Sequence, residues 1–266
     1  MTTAETRERF FLPVRAGQFN VEIHQAGSGE PLLILHDMTA RRPWAPWMDE
    51  LSTRFRVIAP SLPGFRYSEG LGHIDDPVDM AIFLTDLLDA LNVERAVVLG
   101  HELGAMFAAE LAAISPGRVG SLLLVAPVGL PSGDAGMADI FAMDPAQVPQ
   151  LLWADQGSEV AREWDAMPHD PADVEEETVL RSRAFASASR FLWPFPERGL
   201  QKRVHRIQAP TLIVWGEADR LTPRGLAEAF VRAIPQSRLL TIPGSGHFPM
   251  LETPTALLKP LLEFAN

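Results

Sequence analysis

Three side chains could do chemistry together if the fold brings them to one place: Glu102, Asp219 and His247. Glu102 sits in Gly100-His101-Glu102-Leu103-Gly104, after the apolar run Val97–Leu99 and before a helical pattern over Ala105–Ile114. Glycines flanking a strand-to-helix turn allow a bend that pushes the central side chain into a site. Asp219 ends Trp215-Gly216-Glu217-Ala218-Asp219, after the apolar run Thr211–Val214. His247 lies in Gly244-Ser245-Gly246-His247-Phe248. A fourth motif, His36-Asp37-Met38, ends the run Pro31–Leu35, where a loop can offer a backbone N–H to a developing oxyanion. A carboxylate at a bend with an imidazole in reach suits nucleophilic or acid–base chemistry. Each motif alone also has a structural reading: a Gly-rich corner, a turn aspartate, an exposed histidine. Their order along the chain is what joins them.

The elements that must position these residues read as alternating strands and helices. Phe19–His24 alternates apolar and polar residues, as an exposed edge strand does. Pro31–Leu35, Phe55–Ala59, Ala96–Leu99, Ser121–Val125 and Thr211–Trp215 are apolar runs, as in strands buried on both faces. Arg238–Ile242 is a last strand. Helical periodicity covers Val78–Leu91, Glu102–Ile114, Gly225–Ile234 and Thr255–Phe264. The pattern predicts an α/β fold, a mostly parallel sheet with helices on both faces. From Gly129 to Arg206 no strand stands out, and this stretch carries Trp153, Trp164 and Trp193. It is expected to form a helical cap over 129–206, inserted between core segments 1–128 and 207–266.

The chain has 266 residues, 47% of them hydrophobic, which suffices for one large core. Its formal charge of −11 argues against nucleic acid as a partner. It has no cysteine, hence neither disulfides nor thiol chemistry. The N-terminus lacks the apolar run of a signal peptide, and no stretch approaches the ~20 apolar residues of a membrane span. The expectation is a soluble cytoplasmic protein, independent of cofactors and metals, whose partner is a small molecule; a homo-oligomer stays open.

With these motifs in order, and with the strand-end loop Ala59-Pro60-Ser61-Leu62-Pro63-Gly64-Phe65, the chain resembles the capped α/β-hydrolase superfamily, the group of epoxide hydrolases, haloalkane dehalogenases and C–C bond and ester hydrolases. The resemblance covers nearly the whole chain. It implies that Glu102 takes the nucleophile position, Asp219 the acid and His247 the base. It also implies an oxyanion hole formed by the N–H groups of Met38 and Leu103, with His36, Asp37 and His101 lining the site.

The departures from that family matter for the chemistry. Gly-x-Ser-x-Gly is usual and Gly-x-Asp-x-Gly marks the epoxide hydrolases and dehalogenases; here the central residue is Glu102. Asp37 stands where the family favours Gly, Ser61 where Asp is frequent, and Arg66 where Gly is frequent. A carboxylate attacking an ester gives an anhydride, which is uphill, whereas attack on a saturated carbon gives a stable ester that water activated by His247 can hydrolyse. Epoxide hydrolases use cap tyrosines as proton donors, but the only tyrosine, Tyr67, lies outside the cap; His169 and His205 are the substitutes on offer. Hydrolysis of a small apolar substrate is the leading expectation. Glu102 serving as a base for a lyase, isomerase or hydratase is a second, and an inactive small-molecule receptor a third. Asp37 is expected to be a turn residue pointing outward.

Overall fold

The computed structural model describes residues 7–131, 136–194 and 197–265. Eight strands form one sheet: β1 (Glu8–Val14), β2 (Phe19–Ala26), β3 (Glu30–Leu35), β4 (Phe55–Pro60), β5 (Ala96–His101), β6 (Val119–Val125), β7 (Thr211–Gly216) and β8 (Ser237–Ile242). They lie in the order β1-β2-β4-β3-β5-β6-β7-β8. β2 pairs antiparallel with both β1 and β4, and the pairs from β4 through β8 are parallel. The helices are α1 (Pro46–Ser52), α2 (Pro77–Ala90), α3 (Leu103–Ile114), α4 (Val148–Leu152), α5 (Glu159–Asp165), α6 (Pro171–Leu192), α7 (Arg224–Ala233), α8 (Pro249–Glu252) and α9 (Pro254–Phe264).

The apolar runs are the parallel strands, because a strand covered by helices on both faces has no solvent side to mark with polar residues. Every residue of β5 and β7 is buried. α3 is buried over Leu103–Ala113 and packs on β5, β6 and α2. One expectation needs correction. β2 is not the edge strand: it is covered by β1, whose mixed sequence Glu-Arg-Phe-Phe-Leu-Pro-Val hid it. His24 and Glu22, read as solvent-facing, are buried. Glu22 accepts hydrogen bonds from Arg9 Nε (2.8 Å) and Ser61 Oγ (3.0 Å), which accounts for serine at position 61.

Between β6 and β7 the described residues form no strand and carry α4, α5 and the 22-residue α6. The loop after β4 carries α6. Arg183 donates to the carbonyls of Arg66 (3.0 Å) and Ser68 (2.6 Å), and Ser187 Oγ to the carbonyl of Gly64 (2.7 Å). Arg66 holds a left-handed φ of 46°, as the glycine frequent at its position would, while its guanidinium pairs with Glu177 of α6 at 2.9 Å. Among the described residues no helix is long and apolar enough to cross a membrane.

A second clamp joins Arg203, just before β7, to the fully buried Glu110 of α3 through bonds of 2.8 and 2.6 Å. Removing one partner of such a pair strands a charge in the core. Arg203→Ala is expected to cost about 3 kcal/mol in chemical denaturation, and pairing it with Glu110→Leu to recover much of that. A double variant no more stable than Arg203→Ala would contradict this.

Candidate active site

In a parallel sheet, loops leaving the C-terminal strand ends gather on one edge, and the crevice opens where neighbouring strands send their connections in opposite directions. β3 and β5 are such a pair, since β4 lies on one side of β3 and β6 on the far side of β5. Met38 follows β3, Glu102 follows β5, Asp219 follows β7 and His247 follows β8. All four predicted residues therefore stand along that edge.

Glu102 takes φ 50° and ψ −104°, a conformation costly for any residue with a Cβ. Two neighbours make it possible. A methyl group at Gly100 would strike the carbonyl of Gly104, and one at Gly104 would strike the carbonyl of Leu35. The strained backbone is still satisfied: Glu102 N–H donates to the Val125 carbonyl (2.9 Å), and its carbonyl accepts from Met106 N–H (3.1 Å).

The buried carboxylate is divided between two surroundings. Oε2 accepts the N–H of Met38 at 2.9 Å, and the N–H of Leu103, at the start of α3, also favours the charged form. The Met38 N–H is one of the two groups expected to form the oxyanion hole, and the side chain of Glu102 itself occupies it. Oε1 has no hydrogen-bond partner, and neither has Nε2 of His247. Burial pushes the Glu102 carboxyl up to about 7, against the pull of His247 and the two N–H groups.

His247 is oriented from behind. Its Nδ1 lies 2.9 Å from Asp219 Oδ2, so Nδ1 carries a proton, while Nε2 across the ring is buried without a hydrogen-bond partner. Asp219 is fixed in turn by the N–H groups of Leu221 (2.9 Å) and Thr222 (3.0 Å) and by Thr222 Oγ1 (2.5 Å). Burial works against the imidazolium, yet the Asp219 carboxylate, with Glu102, holds His247 above the ordinary histidine value. Burial likewise opposes the Asp219 anion, but His247 and Thr222 keep its carboxyl below the ordinary value.

The other expected lining residues stand behind the site. His36 Nδ1 donates to the Asp37 carbonyl (2.6 Å) and its Nε2 accepts the N–H of Leu62 (3.0 Å), which ties two loops together. Asp37 makes a turn as expected, but it is buried rather than turned to solvent. Its Oδ1 accepts from Thr39 N–H (2.5 Å), Thr39 Oγ1 (2.5 Å) and Ala40 N–H (3.2 Å), which fixes the loop that presents Met38 N–H. Its Oδ2 lies 3.4 Å from His101 Nδ1, and His101 Nε2 donates to the carbonyl of His247 at 2.8 Å. His36, Asp37 and His101 therefore touch the backbone of the site and not the wall of its cavity. His169 and His205 are exposed and line no part of that cavity.

Sequence reasoning missed Glu252. Its carboxylate accepts the N–H groups of Gly246 (2.8 Å), Phe248 (3.4 Å) and Ala154 (2.8 Å), which brackets His247 and ties its loop to the segment after α4. The signal was present as an acid five residues beyond the histidine, but nothing in the sequence separated it from a surface glutamate.

Above Glu102 opens a cavity of about 650 Å³ between the sheet edge and the helical insertion, walled by Met38, Leu130, Met137, Phe141, Trp193 and Leu221 among others. An alpha/beta hydrolase fold family model matches residues 30–254. The chain belongs to that family. It is 27% identical to 2-hydroxy-6-oxononadienedioate/2-hydroxy-6-oxononatrienedioate hydrolase 2 of Pseudomonas putida, over 98% of this chain and 97% of that one. It is 25% identical to 2-hydroxy-6-oxo-6-phenylhexa-2,4-dienoate hydrolase of Burkholderia cepacia, over 92% and 91% of the two chains. The fold is shared with the solved structure of a Rhodococcus 2-hydroxy-6-oxo-6-phenylhexa-2,4-dienoate hydrolase, at TM-score 0.73 and 20% identity, over 97% of this chain and 99% of that one.

Because the Glu102 carboxyl titrates near 7 here and near 4.5 when unfolded, the folded chain holds an extra proton between those values. Stability is then full below pH 4.5 and falls as pH rises through 7. Glu102→Gln removes that penalty and is expected to stabilise the chain at pH 8 by about 1–3 kcal/mol, with the gain fading toward pH 4.5. Urea denaturation at both pH values reads it, and equal gains at both would contradict it. Asp37→Asn keeps an acceptor for Thr39 and Ala40, so it should bind ligand and fold like the natural chain. Asp37→Ala frees the Met38 loop and should lose about 1–3 kcal/mol of stability.

Proposed function

We propose that the chain is a hydrolase that opens a strained saturated-carbon electrophile, an epoxide, through an ester formed on Glu102. The observation that carries this reading is the division of the Glu102 carboxylate, with Oε2 seated on the Met38 N–H and Oε1 without a partner, in a site where the imidazole of His247 also has an unpartnered Nε2 and attracts the carboxylate. A substrate carbonyl needs the oxyanion hole for its own oxygen. Here that place is taken, which speaks against direct acyl transfer. Attack by a carboxylate on saturated carbon needs no such place in its first step.

The steps balance with the groups present. Glu102 Oε1 attacks an epoxide carbon, the C–O bond breaks, and the departing alkoxide takes the proton of the His247 imidazolium at Nε2. This gives an ester on Glu102 and a neutral imidazole. Water then attacks Cδ of the ester as Nε2 accepts its proton. The oxygen that becomes the oxyanion is Oε2, already on the Met38 N–H, with the Leu103 N–H also favouring its charge. Collapse releases the second hydroxyl of the diol and restores the Glu102 anion and the His247 cation. The raised position of His247 favours the charged form that the first step needs, so the chemistry works without a cap tyrosine. Kinship with named dienoate hydrolases supports hydrolysis as the reaction class. A second reading, proton shuttling by the same pair for a lyase or isomerase, is favoured by the Glu102 carboxyl lying near 7, where an acid–base group works best.

His247→Gln should stall the second step, so that mass spectrometry after exposure to a short-chain epoxide finds the substrate's mass on the peptide carrying Glu102. Glu102→Gln should lower turnover by about a thousandfold or more. The opening step requires Glu102 ionised and His247 protonated. Its rate should therefore rise with pH toward about 7 and fall again above the raised value of His247. Full turnover by Glu102→Gln, or an unmodified peptide in His247→Gln together with a rate that only climbs with pH, would reject the ester route.

A further inference from the structure

The charged side chains on the cavity wall are all of one sign: Glu102 at the floor, with Asp139 and Glu197 near the mouth. Among the described residues no lysine, arginine or histidine lines it. The neighbouring stretches 132–135 (Ser-Gly-Asp-Ala) and 195–196 (Phe-Pro) contain no basic residue either. Arg198, next to Glu197, directs its guanidinium to the carbonyls of Phe191 (3.2 Å) and Trp193 (2.5 Å).

The mouth also carries aromatic surface. Trp193 is 51% exposed, and its indole N–H points to Asp139 Oδ2 at 3.4 Å. Phe141 stands on the same wall, its N–H on Asp139 Oδ1 at 3.1 Å. An indole face next to carboxylates attracts organic cations. A second, independent feature lies at the floor: Glu102, which lines this cavity, is fully buried, and its Oε1 has no hydrogen-bond partner. The relatives' names describe dienoates, which carry a carboxylate. A carboxylate resting at the mouth of this cavity would meet Asp139 and Glu197 with no basic side chain on the wall there, in a chain whose formal charge is −11.

We infer that the cavity discriminates by charge, rejecting carboxylates and taking a ligand with an alkyl body and an organic ammonium group at the end that rests between Asp139, Glu197 and Trp193. Combined with the proposed function, on which this part rests, the substrate is an epoxide bearing an amine.

The test uses inert ligands of one length, hexylammonium, hexan-1-ol and hexanoate, bound to the natural chain and followed by calorimetry at low salt. Hexylammonium should bind at least about tenfold tighter than hexanoate, with the alcohol between, and the ratio should shrink in 1 M NaCl. In Asp139→Asn/Glu197→Gln, a pair of near-isosteric changes at exposed positions, the ratio should fall to within about threefold. Hexanoate binding as tightly as hexylammonium, a ranking untouched by the double variant, or no binding of hexylammonium at millimolar concentration would each overturn the inference. None of these ligands reacts, so the charge ranking can fail while the Glu102 ester forms from a neutral epoxide, and the reverse.

Discussion

A carboxylate shut away from water needs donors, and Glu102 finds one in the N–H of Met38 and further support from the N–H of Leu103. Much of the surrounding architecture serves that contact. The Met38 donor exists because β3 ends where β5 turns, and because Asp37 fixes the loop with three bonds from its own carboxylate. The Leu103 donor exists because the first N–H groups of α3 have no partners within the helix. The bend that brings the carboxylate to both depends on two glycines packed against backbone. The result is an anion whose two oxygens are chemically distinct, one held and one free.

The same contact explains why a histidine pair lies behind the site. Asp37, which shapes the Met38 loop, also faces His101, and His101 holds the carbonyl of His247. The two rings lie 4.7 Å apart between centroids. Burial holds His101 below the ordinary histidine value, with Asp37 pulling the other way, and its bond to the His247 carbonyl (2.8 Å) is shorter than its contact with Asp37 (3.4 Å). Glu252 secures the other side of the His247 loop. The imidazole is therefore fixed through its backbone as well as through Asp219, as a base that acts without rearrangement requires.

Seven of the eight strands and four of the longer helices were legible in the sequence, because buried strands leave unbroken apolar runs and core helices leave a 3.6-residue period. β1 was not, since a strand with one open edge and a proline near its end carries neither signature. The positions of Glu102, Asp219 and His247 on one edge followed from three loops each placed after an apolar run. Their distances could not, because the Asp219 to His247 contact joins residues from different strands. Nor could the seating of Glu102 in its own oxyanion hole. The methylene that glutamate has beyond aspartate lets Oε2 reach the Met38 N–H. Asp37 and His101 were expected on the cavity wall and lie behind it, because a turn aspartate satisfies its neighbours' N–H groups before it can face a ligand.

The central claim is that the reacting oxygen belongs to Glu102. A single turnover in water enriched in oxygen-18, with enzyme in excess over a neutral epoxide, tests it directly. The diol formed in that turnover should carry ordinary oxygen and the heavy isotope should appear in the carboxylate of Glu102. Heavy oxygen in the diol with none in Glu102 would mean that water attacks the substrate itself, and the ester would have to be abandoned.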